Sequence, residues 1–174
     1  MTASIVHLAV RFLGSLRPGG PARDDEQWAL TKLTDGERAL WRQMSNPDRR
    51  HAVGVAQMVA ARLWPEAVRP VLAAALLHDV GKVVSGLRTP ARVVATLVWA
   101  VVPSERATVW CESPRTFPRR LGQYHRHPEL GEQLLVEAGA DPTTSTWAAD
   151  HHRPTSQWRV AARVGSVLKD CDGD

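Results

Sequence analysis

Residues 74–82 read AALLHDVGK and place a histidine and an aspartate at the end of an apolar helix. On a helical wheel at about 100° per residue, Asp79 continues the apolar face of this helix and His78 lies at its edge. A carboxylate that points into a core is costly unless it is paired or bound to a cation. A single inward His or Asp is more often a satisfied core residue than a ligand. A metal site here therefore needs further ligands from other helices.

Two other predicted helices supply such ligands. His51 falls on the apolar face of the helix before the AALLHDVGK segment. In the last predicted helix, Asp172 falls on the apolar face, whereas Asp170 falls on the opposite, polar face. We therefore predict that His51, His78, Asp79 and Asp172 form a mixed nitrogen-oxygen metal site.

This ligand set indicates the chemistry of the site. Imidazole and carboxylate ligands together suit divalent ions such as manganese, iron, zinc, nickel, cobalt or magnesium. Water on such an ion is a nucleophile at neutral pH, and the ion polarises a phosphoryl oxygen. Asp79 is expected to bind metal and to orient the attacking water. Lys82 has two interpretations, a contact to the substrate phosphate or a solvated lysine, and we favour the first.

Three further histidines lie at predicted helix junctions. His127 precedes Pro128 at a helix start, and His151 and His152 close the next helix. They are candidates for binding a second ion, as in phosphoesterases that hold two ions about 3.5–4 Å apart. Alternatively, they only cap the ends of their helices. The residues alone leave both interpretations open.

Composition limits the class of protein. The chain has 174 residues, of which 44 % are hydrophobic and 23 % charged, which is typical of one globular domain. Its formal net charge of +4 favours an anionic substrate. No basic run is interleaved with aromatic residues, so a nucleic-acid partner is not expected. Cys111 and Cys171 form no CxxC motif, and no signal peptide is evident, so we expect a cytoplasmic protein without disulfides.

Proline and glycine divide the chain into predicted helices. Residues 25–44 are expected to be helical with a turn near residue 35, and Asn46 is the predicted N-cap of the next helix. Residues 103–123 have no clear period and are predicted to be mostly loop. No segment alternates with a period of two, so the predicted fold class is all-α. The remaining predicted helices span residues 5–16, 65–79, 89–102, 128–139, 141–152 and 157–171.

Two apolar segments could either pack on the domain or contact a membrane surface. The segment Ile5 to Leu16 has an amphipathic pattern and is expected to pack on the domain. The run Val93 to Val102 is shorter than the roughly 20 residues that span a bilayer, so we predict a core helix. For both segments, peripheral contact with a membrane surface is the alternative.

The motifs resemble those of the HD-domain metal-dependent phosphohydrolases. The segment RHAVGVA at residues 50–56 is similar to the first motif of that family, and AALLHDVGK is similar to its second. The resemblance covers Asp48 to Asp172. It implies that His51, His78, Asp79 and Asp172 bind the catalytic metal. It also implies a single HD-type helical bundle at residues 45–174, with residues 1–44 as an N-terminal helical extension.

A subgroup of this family, the HD-GYP phosphodiesterases, has a similar HPEIG-like segment and a His-His pair. Here these are HPELG at residues 127–131 and His151-His152. The resemblance implies that His127, His151 and His152 bind a second metal. The Gly-Tyr-Pro segment is absent, because Arg153-Pro154-Thr155-Ser156 follows the pair. Activity on cyclic dinucleotides is therefore not expected.

The expected function is metal-dependent hydrolysis of a phosphate ester, as a phosphomonoesterase or phosphodiesterase acting on a nucleotide or a related small molecule. One alternative is a non-catalytic HD fold that senses a nucleotide, although the complete ligand set favours an enzyme. Another is a module that binds a membrane surface or a protein partner. The seven tryptophans are compatible with this alternative, because tryptophan is enriched at membrane interfaces.

Overall fold

The computed structural model describes residues 19–173, apart from the side chain of Thr89. Within this range every regular element is helical, which confirms the all-α prediction. The predicted helix at Ile5 to Leu16 lies outside the described residues. The α-helices are α1 (Arg23–Thr31), α2 (Asp35–Gln43), α3 (Asn46–Arg62), α4 (Arg69–Leu77), α5 (Lys82–Ser85), α6 (Thr89–Trp99), α7 (Arg106–Cys111), α8 (Thr116–His125), α9 (His127–Glu137), α10 (Pro142–Asp150) and α11 (Ala162–Asp172), with a 3₁₀ turn at Thr155–Gln157.

Helix α4 lies at the centre of the main core. Its residues 71–77 are all buried, because the segment carries only Val, Leu and Ala side chains. Helices α3 and α10 pack against α4, and α11 packs against α3. These contacts hold α3, α10 and α11 in one bundle with α4, whose end is followed by His78 and Asp79.

The residues before position 45 share this core. Leu40 and Trp41 of α2 and Ala29 of α1 are buried in the same cluster as α4. Glu26 joins the segment to α3, because its Oε1 accepts hydrogen bonds from Trp41 (2.7 Å) and Arg49 (2.8 Å). Helices α1 and α2 thus pack in the same helical body as α4.

Capping side chains set the helix starts. Thr34 and Glu37 form a capping box at α2. At α3 the N-cap is Ser45, whose hydroxyl oxygen accepts from the backbone N–H of Asp48 at 3.4 Å. The prediction of Asn46 as N-cap was wrong by one residue. Serine and asparagine are equally good caps, and only the backbone conformation distinguishes them.

Residues 87–126 form a separate lobe, which we call the α6–α8 lobe. Leu87, Ala95 and Leu121 form its own small core, with Trp99 and Trp110 packed against them. The prediction that residues 103–123 are mostly loop was wrong, since α7 and α8 lie there. These helices are short, and their stability comes from packing on each other rather than from a clear apolar period.

The prediction of a core helix at Val93 to Val102 holds for one face only. Ala95 is fully buried, whereas Leu97 and Val101 are exposed by 66 % and 82 %. Within residues 19–173, no single helix is both long and apolar enough to cross a membrane. The segments 69–85 and 90–99 meet that test together, but only as a pair bent by 90°.

Gly81 allows the start of α9 to approach the turn after His78. A Cβ atom at Gly81 would lie 1.9 Å from the carbonyl oxygen of His127 and 2.6 Å from the amide nitrogen of Gly131. Both atoms belong to backbone and cannot move as a flexible side chain would. Glycine at this position therefore places His127 beside Asp79.

We predict that Gly81→Ala destabilises the fold by about 3 kcal/mol or more, because the added methyl group must displace the backbone of α9. Urea denaturation of the purified protein measures this change. Gly54→Ala is the matched control, since a Cβ there meets no atom within 4 Å. In the interior of α3 it should stabilise by about 0.5–1 kcal/mol. Equal effects of the two substitutions would contradict the role assigned to Gly81.

Candidate metal centre

His78 and Asp79 lie in the turn that joins α4 to α5. Both side chains are buried, with exposed fractions of 2 % and 4 %. The Nδ1 atom of His78 lies 2.9 Å from the carbonyl oxygen of Ala75, three residues earlier. This carbonyl belongs to the last turn of α4, where backbone acceptors lack helical partners. Nδ1–H therefore donates to Ala75, and Nε2 points the other way.

The same arrangement occurs at two other helix ends. Nδ1 of His127 lies 2.8 Å from the carbonyl oxygen of Tyr124, and Nδ1 of His151 lies 2.8 Å from that of Ala148. A carbonyl acceptor fixes the proton on Nδ1, which leaves the lone pair of Nε2 available for a metal. The capping interpretation and the ligand interpretation therefore apply to different nitrogen atoms of the same ring.

The three Nε2 atoms converge on carboxylates. Those of His78, His127 and His151 are buried and form no hydrogen bond within residues 19–173. His78 Nε2 lies 3.4 Å from Asp172 Oδ1 and 3.5 Å from Asp79 Oδ2. His127 and His151 Nε2 lie 3.3 and 3.8 Å from Asp79 Oδ1. Buried nitrogen lone pairs that face carboxylate oxygens at these distances are suited to a shared cation.

Asp79 stands between two groups of ligands. His51, His78 and Asp172 form one group, and His127, His151 and His152 form the other; within each group the ligand atoms lie within 4.8 Å of one another. Two ligands bonded to one ion at about 2.1 Å are separated by at most about 4.2 Å, so small side-chain movements suffice. Oδ2 of Asp79 faces the first group and Oδ1 faces the second.

The structure thus brings all seven predicted metal ligands to one place. His51 Nε2 lies 2.7 Å from Asp172 Oδ1, so the first and last of them are in direct contact. Asp172 is buried, whereas Asp170 is exposed, in agreement with the helical wheel. Asp172 is the last residue of α11, which packs against α3, the helix that carries His51.

The carboxylates hold a proton on His78 when no cation is bound. Burial by itself would lower the pKa of His78, but Asp79 and Asp172 outweigh it and raise this pKa to about 9. Burial would likewise raise the pKa of both aspartates, yet each remains well below its usual value. Lys82 and His78 have this effect on Asp79, and His78 and His51 have it on Asp172.

The second ligand group has the opposite electrostatics. Burial lowers the pKa of His151 well below its usual value, and the neighbouring His152 and His78 lower it further. The ring of His152 packs on that of His151, with centroids 4.0 Å apart. Desolvation and the nearby His127 lower the pKa of His152 to about 4. Both imidazoles are therefore neutral at physiological pH, which is the form that binds metal.

Lys82, the first residue of α5, lies at the edge of the centre. Its Nζ donates to Asp79 Oδ2 at 2.5 Å. Burial would lower the pKa of Lys82, but the charge of Asp79 raises it, so the ammonium group is retained. Its side chain is 15 % exposed, which places a fixed positive charge between the buried carboxylate and solvent.

The HD domain family model matches residues 49–172. The chain belongs to the HD domain family. The resemblance inferred from the AALLHDVGK segment is thereby confirmed. All seven candidate ligands and Lys82 lie inside the matched range, which ends at Asp172. No curated protein and no solved structure matches the chain.

The residues of this HD domain fit a divalent metal centre. The supporting observation is the set of buried Nε2 atoms without hydrogen bonds that surrounds the two buried carboxylates. One group combines two histidines with an aspartate and the other contains three histidines, and Asp79 has one oxygen for each. Such donors suit borderline divalent ions.

Sequence reasoning did not identify Tyr124 and the ion pair between Asp48 and Arg92. Tyr124 provides the carbonyl that orients His127, and its phenol is close enough to Lys82 to affect the pKa of that lysine. Arg92 Nη1 lies 2.7 and 2.8 Å from the two oxygens of Asp48, which also faces Lys82. In all three oriented histidines the carbonyl acceptor lies three residues before the histidine. Any residue type can provide this carbonyl, so the sequence carries no signal for it.

We predict that metal removal makes stability pH-dependent through His78. The folded-state pKa of about 9 exceeds the ordinary 6.5. Protonated His78 therefore stabilises the metal-free protein fully below pH 6.5, and this stabilisation is lost as the pH rises through about 9. A bound ion replaces this proton, so metal binding strengthens as the pH rises. Both aspartate pKa values stay below 3.8, outside this window.

Melting temperatures of manganese-loaded and EDTA-treated protein between pH 6.5 and 9 check this prediction. The difference between the two forms should grow with pH. The EDTA-treated His78→Asn variant, which lacks the titrating group, should show a flatter profile than the EDTA-treated parent. A difference that stays constant or shrinks with rising pH would contradict the assignment.

Proposed function

We propose that the protein is a metal-dependent phosphohydrolase whose two ligand groups, with Asp79 between them, would hold two divalent ions. The observation that carries this proposal is the position of Asp79, with one oxygen toward His78 and the other toward His127 and His151. Membership of the HD domain family supports the same reaction class. When bound, such ions make water nucleophilic at neutral pH and polarise a phosphoryl oxygen.

The chain's own groups prepare the site for a phosphate ester. Helix-end carbonyls hold three imidazole rings in fixed orientation, so little reorganisation is needed when substrate arrives. The ammonium of Lys82 lies beside Asp79 and is positioned to contact a phosphate oxygen. Its positive charge would stabilise the charge that develops on phosphorus-bound oxygens. Asp79, which would help to hold the metal, would also orient the attacking water.

The exposure of the ligands indicates where substrate enters. His78, His151 and Asp172 are buried, whereas the side chain of His51 is 27 % exposed and His152 is exposed. Each ligand group therefore has one member at the surface, where a substrate phosphate could reach it. Lys82, whose side chain is 15 % exposed, contacts Asp79, which faces both groups.

We propose a nucleotide or a related phosphate ester as substrate, cleaved as a monoester or a diester. The net positive charge of the chain supports an anionic substrate. Cyclic dinucleotides remain outside the proposal, because the Gly-Tyr-Pro segment is absent after His152. The alternative of a non-catalytic nucleotide sensor predicts binding without turnover, and the experiments below separate the two.

Metal analysis tests the centre. We predict about two equivalents of a divalent transition ion per chain, measured by elemental mass spectrometry after dialysis. The His78→Ala/Asp79→Ala variant should lose both ions, because Asp79 serves both groups. His125→Ala is the matched control, since His125 stacks on Trp99 and belongs to neither ligand group. Retention of metal by the double variant, or no metal in either protein, would rule out the centre.

Turnover is tested with nucleotides, cyclic nucleotides and an aryl phosphate in the presence of manganese. We predict metal-dependent phosphate release, and a decrease in kcat/KM of about 100-fold for Lys82→Gln with metal content unchanged. Lys32→Gln is the control, because Lys32 lies over Trp28, away from the centre. Substrate binding without turnover in the metal-loaded parent would favour the sensor. Unchanged kcat/KM in Lys82→Gln would remove the role proposed for this lysine.

A further inference from the structure

The α6–α8 lobe has an outward face that its small core does not use. Helix α6 contributes Ala91, Ala95 and Val98 to the lobe core, a set spaced four and three residues apart. Val94, Leu97 and Val101, spaced three and four residues apart, form a second row on an adjacent side of the helix, about 90° from the first. These three side chains are exposed by 44 %, 66 % and 82 %. An apolar stripe thus lies on the outside of α6 and of the turn that follows it.

Other exposed apolar side chains belong to the same lobe. Val109 of α7 is 69 % exposed and Phe117 at the start of α8 is 51 % exposed. The inward side of α7 is occupied by its contact with Gly122 of α8, where a Cβ would lie 2.6 Å from the amide of Cys111. Val109 lies on the side of α7 away from this contact, so it stays exposed while α7 and α8 are packed together.

The lobe is also strongly basic. Residues 87–126 contain seven arginines, no lysine and two glutamates, which gives a formal charge of +5. The whole chain carries +4, so the remaining residues together carry −1. The positive charge of the protein is therefore concentrated in the lobe that exposes apolar side chains.

Most of these arginines lack a carboxylate partner in the described part of the chain. Arg88, Arg106, Arg115, Arg119 and Arg120 are exposed, and none forms an ion pair within residues 19–173. In the metal-binding body, by contrast, Arg49 and Arg69 pair with glutamates and Arg159 pairs with Glu132 and Asp150. The lobe thus exposes both unpaired guanidinium groups, which favour an anionic partner, and Leu, Val and Phe side chains, which favour an apolar one.

We propose that the α6–α8 lobe docks on an anionic phospholipid bilayer. The interface of such a bilayer offers both partners at once: phosphate headgroups for arginine and the acyl boundary for apolar side chains. Arginine stems can lie along the apolar layer while the guanidinium groups stay at the headgroups. A second copy of the chain is disfavoured as the occupant, because two lobes of charge +5 repel each other. A nucleic acid would leave the aliphatic stripe uncovered.

Docking of this lobe would bring the metal centre near the bilayer. Helix α8 ends at His125, two residues before His127, and Arg92 on α6 is paired with Asp48 at the start of α3. The lobe is thus fixed to the metal-binding body by these two links and by the packing of α8 on α5. The proposal does not depend on the reaction at the centre, since none of the docking side chains belongs to it.

Vesicle co-sedimentation of the full chain tests the proposal. We expect binding to phosphatidylcholine vesicles that contain phosphatidylglycerol, weaker binding at high salt, and little binding to phosphatidylcholine alone. Leu97→Glu/Val101→Glu should weaken binding at least tenfold. The matched control is Val136→Glu on α9, which changes a 62 % exposed valine outside the lobe and should bind as the parent does. Arg115→Gln/Arg119→Gln should weaken binding roughly fivefold for each arginine removed.

Several results would overturn the proposal. One is the absence of binding to the anionic vesicles. Another is vesicle binding that Leu97→Glu/Val101→Glu leaves unchanged, which is the result expected if residues 5–16 alone made the contact. A third is a dimer in light scattering that Leu97→Glu/Val101→Glu converts to a monomer, since the stripe would then be a protein interface. Metal content and phosphate release of each variant are measured in parallel. They should equal those of the parent, so failure of docking and failure of the proposed function are distinguishable.

Discussion

The buried carboxylate of Asp79 is the constraint on which the rest of the structure depends. An isolated ionised carboxylate in a protein interior is not tolerated, so its surroundings must supply positive charge. Lys82 supplies part of that charge at 2.5 Å, and protonated His78 supplies another part at 3.5 Å. The remaining neighbours, His127 and His151, face Asp79 with imidazole nitrogens that form no hydrogen bond in the described chain. A bound cation would satisfy all of these groups together.

One local device builds most of this site. At three helix ends, an imidazole Nδ1 donates to the backbone carbonyl three residues earlier. The hydrogen bond gives a partner to a carbonyl that has none within its helix, and it also fixes the orientation of the ligand ring. The helix ends themselves meet because small residues allow close approach. Gly81 lies against the backbone of His127 and Gly131, so α9 begins at the turn that holds Asp79. The site is therefore specified by helix termini and glycines as much as by its ligands.

Helical periodicity was sufficient to predict the first ligand group. The apolar faces of the helices that carry His51 and Asp172 are long and regular, so the inward residues, including Asp172 rather than Asp170, could be identified. The position of His127, His151 and His152 could not, because each lies at a helix end, where the wheel gives no direction. Their geometry depends on Tyr124 and Ala148 carbonyls and on the contact at Gly81, which are tertiary facts. The same reason explains the two missed helices at residues 103–123, where Gly122 packs into α7 in place of a periodic apolar face.

The connection between the α6–α8 lobe and the metal centre follows from the same contacts. Tyr124, in the last turn of α8, orients His127 through its carbonyl. Arg92, on α6, holds Asp48, and both Asp48 and Tyr124 contribute to raising the pKa of Lys82. A displacement of the lobe relative to the body would therefore change the orientation of one metal ligand and the electrostatic environment of the lysine proposed to meet the phosphate. Because the lobe has only a small core of its own, these two attachments to the centre are also part of what fixes its position.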